Sequence, residues 1–551
     1  MIRSSPVVSR WLSVLFGLLL ALIALRTLRA PQSEFGDGRE YVLQTQGIVF
    51  DHTLAIDPER RADYWNETNP FGVTLKAEQG VQPESDAEGE ERQFGGKFGS
   101  LYLARDGSYR YVHSWVYSLV VAPIYALLHA SLGGTAEYFA FRIVNLIALF
   151  LPLVMLWRRA PRIGTLVFFV AVLTSPITPH LQFAHSEIFC LSAVMLSLAT
   201  AGAAGWRFAS PFLLGLGAAQ NIPIAFLFPL HLWLTERGRS HISGARSILR
   251  SITPYLSAAM LPLGMMLYNF WEFGTWNLIA QLGHADPRFV TWRRMVSVFV
   301  SPMIGVVWYL PACWLAVIVS LRKGTGGVVL ATVLSVLAVA AVSSTTDNIN
   351  SAQLSACRYA VWYLGPLYVL PFLTLDRDTP ALSSFRFFTG LVPLLVIWWW
   401  LGTYRFLAGE SFRFFSSQRA QPEVAALYRW SHLHDDIEPL VENITAREIP
   451  VPHRFRGIYV WNLDGSQSLW IVSLRAFKEL SNLEARSSSD LTTSASLQEL
   501  FDVRAEGDGR FALRPKDGVT FDRHPQWGGY RLIWVDARIE GLRSSVLVVV
   551  R

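Results

Sequence analysis

The chain runs to 551 residues, of which 52% are apolar and only 16% charged, with a mean hydropathy of +0.31. Soluble globular proteins carry roughly 25% charge, so a soluble enzyme is excluded at the outset. The net charge of +6 fits cytoplasmic loops under the positive-inside rule better than a nucleic-acid surface, and Cys190, Cys313 and Cys357 have no metal-ligand spacing or disulfide framework.

A helix needs about 20 apolar residues to cross the bilayer core. The first such run, 11–28, follows Arg3 and Arg10 and is read as a retained anchor rather than a cleaved signal peptide, because it is long and Pro31 follows its end. Further runs fall at 139–157, 164–176, 188–204, 210–234, 254–271, 296–321, 328–342, 359–375 and 387–406. The basic residues between them (Arg158, Arg159, Arg162, Arg207, Arg237, Arg239, Arg246, Arg250, Arg322 and Lys323) belong with Arg3 and Arg10 on the cytoplasmic side.

That rule constrains two segments. Residues 210–234 lie between Arg207 and Arg237 and contain Gln220, Asn221 and Pro223, which predicts a hairpin of two short helices. Residues 113–134, interrupted by Pro123, then form a helix on the outer leaflet. In the alternative arrangement 113–134 crosses and 210–234 is one helix.

The expected fold is an all-α polytopic membrane protein of about eleven transmembrane helices, with the amino terminus inside and the carboxyl terminus outside. Residues 1–407 make the transmembrane domain. Its first outer loop, 30–138, holds 8 Lys/Arg against 16 Asp/Glu, and its stretch 77–92 is acidic and solvated. Residues 408–551 have soluble composition. Their Val-, Ile-, Trp- and Tyr-rich runs at 457–463, 468–474, 530–538 and 544–550 predict a small β-rich outer domain.

Candidate chemistry starts just beyond the first span, at 35–48 (FGDGREYVLQTQGI). Asp37, Glu40 and Tyr41 precede apolar residues at helical spacing, as in an amphipathic interfacial helix. Asp37 and Glu40 also fit a capping box, a purely structural role. His113, His180, His185 and His284 fall on the outer side. His180, His185 and Glu187 match no established zinc spacing. Arg288, Arg293, Arg294 and Arg358 are cations at outer loops or span mouths, against the inside bias. Headgroup anchoring is the alternative role for each of them. Arg142 near the outer end of a span is costly to embed and favours an interior or site-facing role.

In order and topology, residues 10–405 resemble the GT-C superfamily of membrane glycosyltransferases, in particular its protein mannosyltransferase and aminoarabinose transferase group. There an Asp in the first outer loop, followed four residues later by Tyr and a surface helix, is the catalytic base. Asp37 and Tyr41 match that spacing, while Gly38 stands where many members carry a second acidic residue. The resemblance extends to the helix opening at His113, to Arg142, to Glu187 as a second acidic position, and to segments 301–311 and 358–371. It implies a sugar donor on polyprenyl phosphate, Asp37 as base, and Glu40, Tyr41, His113, Arg142, Glu187, Arg293, Arg294 and Arg358 as substrate-binding residues. It implies inversion and no required cofactor, with a divalent cation as an open option and no metal ligand assigned.

The expected function is glycosyl transfer to a glycan, lipid or protein acceptor at the periplasmic face of a bacterial inner membrane, in contact with membrane lipids and with no nucleic-acid partner. The rival expectations are a transporter or flippase of lipid-linked glycans, which should show mid-span polar residues and internal repeats, and a periplasmic glycan polymerase or ligase.

Overall fold

A computed structural model describes residues 6–30, 38–56, 101–133, 136–159, 163–173, 177–237, 245–281, 292–300, 311–321, 325–346 and 358–374, a few single positions between them, and eight strands between 457 and 550. The chain divides into two compact units, Met1–Arg61 with Asp86–Gly409, and Ala62–Ser85 with Glu410–Arg551.

The first unit is mostly helical. Three of its described helices, Arg10–Arg29, Ala136–Arg159 and Gly326–Ser343, are long and apolar enough to cross a membrane. Shorter apolar helices lie at Val116–Leu132, Glu187–Thr200, Ile222–Glu236 and Ala360–Thr374. The predicted run 387–406 and the acidic stretch 77–92 lie outside the described residues.

Side-chain contacts fix how these helices run against one another. Phe16 of the first helix stacks on Trp157 at 4.8 Å. At the opposite ends of the same two helices, Arg142 Nη1 donates to the Ala30 carbonyl at 2.8 Å. Arg10, Arg158 and Arg159 therefore share one end of the bundle. The helix Glu187–Thr200 starts beside the Arg142 end, and Ser210 Oγ donates to the Ser197 carbonyl at 2.7 Å near its other end, placing Arg207 with the basic group. Basic residues at one end of an apolar bundle are what the positive-inside rule expects of a cytoplasmic face.

Residues 210–234 form the predicted hairpin. A helix Ala209–Gln220 climbs to Asn221, whose backbone is extended (φ −134°, ψ 101°), and the chain returns through a 3-10 turn Ile222–Leu227 and a helix Phe228–Glu236. Both arms end together, for Ser210 Oγ lies 2.7 Å from His231 Nε2. The hairpin packs tightly on the helix Ala245–Phe273. A Cβ added to Gly215 would collide with the Ala258 carbonyl, so glycine permits this crossing. Away from that contact, the long helix presents Leu249, Ile252, Leu256, Met260, Leu263 and Leu267 to its surroundings, an apolar stripe at helical spacing suited to lipid.

The sequence reading missed a three-stranded sheet between the first and second long apolar helices. Tyr109–Tyr111 lies between Ala55–Ile56 and Leu101–Leu103, antiparallel to both. Its hairpin turns at Gly107 (φ +82°). Asp106 accepts from the Ser108 backbone and hydroxyl and from Arg110, bonds that draw its carboxyl down to about 2. The hairpin docks on the end of Ala245–Phe273 through Arg110–Glu272 at 3.0 Å and a bond from the Arg105 backbone to the Glu272 carbonyl at 2.8 Å. Tyr102, Ala104, Phe273 and Leu278 bury a small apolar core beneath it.

The second unit is described only as strands. Ser545–Val550, Ser468–Ser473, Gly457–Asn462, Leu532–Ala537, Leu483–Ser487 and Asp490–Ser496 form one sheet in that order, and Phe501–Gly507 pairs with Arg510–Pro515. Four of these strands fall within the runs at 457–463, 468–474, 530–538 and 544–550.

Candidate functional site

The helix Gly38–Gln46 brings Tyr41 inward. Glu137 fixes it from outside, taking Arg39 at 3.2 Å and Gln46 Nε2 at 2.6 Å. Tyr41 packs edge-on against Tyr111 and Tyr117, with ring centroids 5.1 and 5.5 Å away. Gln220 Nε2 donates to the Tyr41 hydroxyl at 3.0 Å, and Ser186 Oγ lies 3.3 Å from it. Gln220 Oε1 accepts the Tyr117 backbone N–H at 2.8 Å, so the hairpin tip and the start of the Val116–Leu132 helix are locked together. Tyr117 donates in turn to Asn145 Oδ1 at 2.7 Å, and Asn145 Nδ2 donates to the Phe183 carbonyl at 2.9 Å. One continuous network therefore orients Tyr41 and the loop 177–186.

That loop delivers Glu187 as the first residue of its helix, where the positive end of the helix dipole favours a carboxylate. Arg358 Nε lies 3.2 Å from Glu187 Oε1, and both side chains are almost fully buried. His185 Nδ1 is 3.7 Å from Glu187 and 3.5 Å from Arg358 Nη1. In the same loop, burial pushes the His180 imidazole down to about 4. Glu187 pulls it back up, while His185 and Arg358 push it further down.

His185, Glu187 and Arg358 border a cavity of about 210 Å³. Tyr41, His113, Glu187 and Arg358 form part of its wall, and the rest comes from the hairpin tip, from Met265 and Asn269 near the end of the long helix, and from Val342–Thr346. Each contributing segment reaches the cavity at its end opposite the basic cluster.

The structure brings together four of the predicted residues: Tyr41, His113, Glu187 and Arg358. Asp37 lies outside the described residues. Its neighbour Gly38 sits beside the site, where an added Cβ would come within 3.8 Å of His185 Nε2. Glu40 is buried and does not line the cavity. Arg142 does not line the cavity either. It is 1% exposed and spans between the Ala30 and Gln182 carbonyls at 2.8 and 3.5 Å, tying the end of the first helix to the loop before Glu187. A buried guanidinium needs acceptors, and these carbonyls supply them. Arg293 and Arg294 are on the helix Trp292–Val300, with side chains outside the described residues. Among the described residues, no three His, Cys, Asp or Glu side chains gather as metal ligands.

Sequence reasoning did not assign Gln220, Asn221, Asn269 or Asn277 to the site. The signal was present at Gln220-Asn221 and at Asn269, carboxamides inside otherwise apolar runs, where a polar group requires a partner. No protein-family model, curated protein or solved structure matches this chain.

Proposed function

We propose that the protein is an integral membrane glycosyltransferase that moves a sugar from a polyprenyl-phosphate donor to an acceptor at the periplasmic face of the inner membrane. The reading rests on one observation above the others. The buried Glu187–Arg358 pair, Tyr41 and a set of carboxamides converge on a small cavity at the bundle end opposite the basic residues, beside Gly38. The topology proposed with it has about eleven spans, and the strands of 457–550 form an outer domain.

In this mechanism the acceptor hydroxyl attacks the anomeric carbon as the bond from that carbon to the phosphate oxygen breaks. The hydroxyl proton passes to the Asp37 carboxylate, and polyprenyl phosphate leaves with the bonding electrons. Developing charge on the phosphate needs a fixed cation where water is scarce. Arg358 serves that role. Glu187, 3.2 Å from its Nε, orients the guanidinium. Tyr41, held by Gln220, positions the sugar. Arg142 keeps the loop that follows the first helix in register with Glu187.

Arg358 tests this assignment. Arg358→Ala alone strands a buried carboxylate, at a cost of about 3–5 kcal/mol, so the matched variant is Arg358→Ala with Glu187→Gln. The double variant should fold and insert normally yet lose at least about tenfold in donor use. Arg358→Lys should recover part of it, because an ammonium cannot reproduce the guanidinium fork. Folded double variant with undiminished donor use would remove Arg358 from the reaction.

A further inference from the structure

We propose that His185 is a positioning residue for Arg358, holding the guanidinium in place by accepting one of its N–H groups at Nδ1. The inference rests on the glycosyltransferase reading and deepens it, naming a residue that acts through the phosphate-binding cation. His185 is 2% exposed and shares the cavity wall with Glu187 and Arg358. Its Nδ1 lies 3.5 Å from Arg358 Nη1 and 3.7 Å from Glu187 Oε2. The first contact decides the tautomer. A guanidinium donates, never accepts, and stays charged, so a proton on Nδ1 would set two N–H groups against each other across 3.5 Å. With Nδ1 bare, its lone pair accepts from Arg358 and the ring proton sits on Nε2. A proton on Nδ1 aimed at Glu187 would instead have to reach across 3.7 Å, beyond hydrogen-bonding range.

Arg358 is then held along two edges and one face. Glu187 Oε1 stands 3.2 Å from its Nε, His185 meets its Nη1, and the Tyr359 ring centroid lies 5.4 Å from its Cζ. A planar cation fixed at both edges has little freedom to turn. That matters for the reaction, because a cation stabilises developing phosphate charge best when nothing need reorganise as the charge appears. The fold sets His185 in its turn. Its ring packs edge-on against Tyr41 and Phe183, with centroids 6.3 and 6.2 Å away. Its Nε2 sits at the start of the helix Gly38–Gln46, where a Cβ on Gly38 would come within 3.8 Å. One imidazole thereby ties the cation to the helix that carries Tyr41.

The test combines transfer assays and NMR on the purified full chain. In proteoliposomes, the donors are synthetic polyprenyl-phosphate glucose, mannose and 4-aminoarabinose. His185→Leu removes the acceptor and should lower donor kcat/KM by about tenfold or more, the scale of a hydrogen bond to a charged group. His185→Asn puts a carbonyl oxygen close to the place of Nδ1 and should recover most of that loss. In the Arg358→Ala, Glu187→Gln background, His185→Leu should cost nothing further, because its effect passes through the guanidinium. No loss in His185→Leu, equal losses in the two backgrounds, or Asn no better than Leu would overturn the inference. The ring nitrogens are read directly by ¹⁵N NMR of histidine-labelled protein in nanodiscs, with the His185 signals assigned by their absence from His185→Asn. A bare Nδ1 and a protonated Nε2 are expected, both shifting in the Arg358→Ala, Glu187→Gln variant. A protonated Nδ1 would overturn the inference whatever the rates. If the natural chain turns over no donor, the glycosyltransferase reading fails on its own, and the NMR result alone decides whether His185 holds Arg358.

Discussion

Glu187 and Arg358 are 171 positions apart in the chain, and the fold closes that gap to 3.2 Å. Each was legible alone, because an acid and a base at span mouths are costly unless used. Their pairing was not legible, since nothing in linear spacing shows which span mouths become neighbours. Arg142 shows the reverse case. Its cost in an apolar segment was visible, but backbone carbonyls offset it, and main-chain acceptors leave no mark in a sequence. His180 carries a prediction at this scale. It is buried as the neutral imidazole, at about 4 against an ordinary 6.5. An unfolded chain takes up a proton between those values and the folded one does not, so stability is full above about 6.5 and falls as pH drops toward 4. The loss should approach roughly 3 kcal/mol for the full shift. His180→Gln should flatten the dependence of the melting temperature on pH between 7 and 4. An unchanged slope would show that another group controls acid stability.

Element by element, the apolar helices were most legible where apolar runs meet basic flanks, as at Ala136–Arg159 and Gly326–Ser343, both long and apolar enough to cross a membrane. The hairpin of 209–236 was predicted from two features together: arginines wanted on one side at both ends, and a polar, proline-containing break between them. The hairpin Leu101–Tyr111 was missed because strands of three residues have too little alternation to stand out. It is held by a distant partner, Glu272, that sequence could not supply. Tight helix crossings were equally invisible, since a glycine in an apolar run does not announce what it touches. Gly215→Ala should force the 209–220 helix off Ala258, at about 1–3 kcal/mol for overpacking. Gly264→Ala meets nothing within 4 Å and should be neutral, or stabilising by about 0.5–1 kcal/mol through helix propensity. Thermal melting of both in detergent checks the crossing, and equal melting temperatures would refute it.

At the largest scale, the first unit couples a basic end to a polar cavity at the opposite end of one bundle. That polarity follows from three contacts, Phe16 on Trp157, Arg142 on Ala30 and Ser210 on Ser197, rather than from hydropathy. Under the proposed topology, reporter fusions at Arg159, Arg239 and Lys323 should read cytoplasm, and fusions at Glu84 and Asp508 should read periplasm. A cytoplasmic Asp508 would break the proposed span count. The most direct measurement of the central claim is sugar transfer from polyprenyl phosphate by the purified protein and by its Asp37→Asn variant. Asparagine keeps the shape of the side chain and cannot accept the acceptor's proton. Turnover should fall by about 10²–10⁴-fold, with insertion and expression intact, while Glu40→Gln, altering a buried side chain off the cavity wall, stays near the natural rate. Transfer at the natural rate by Asp37→Asn would contradict the account.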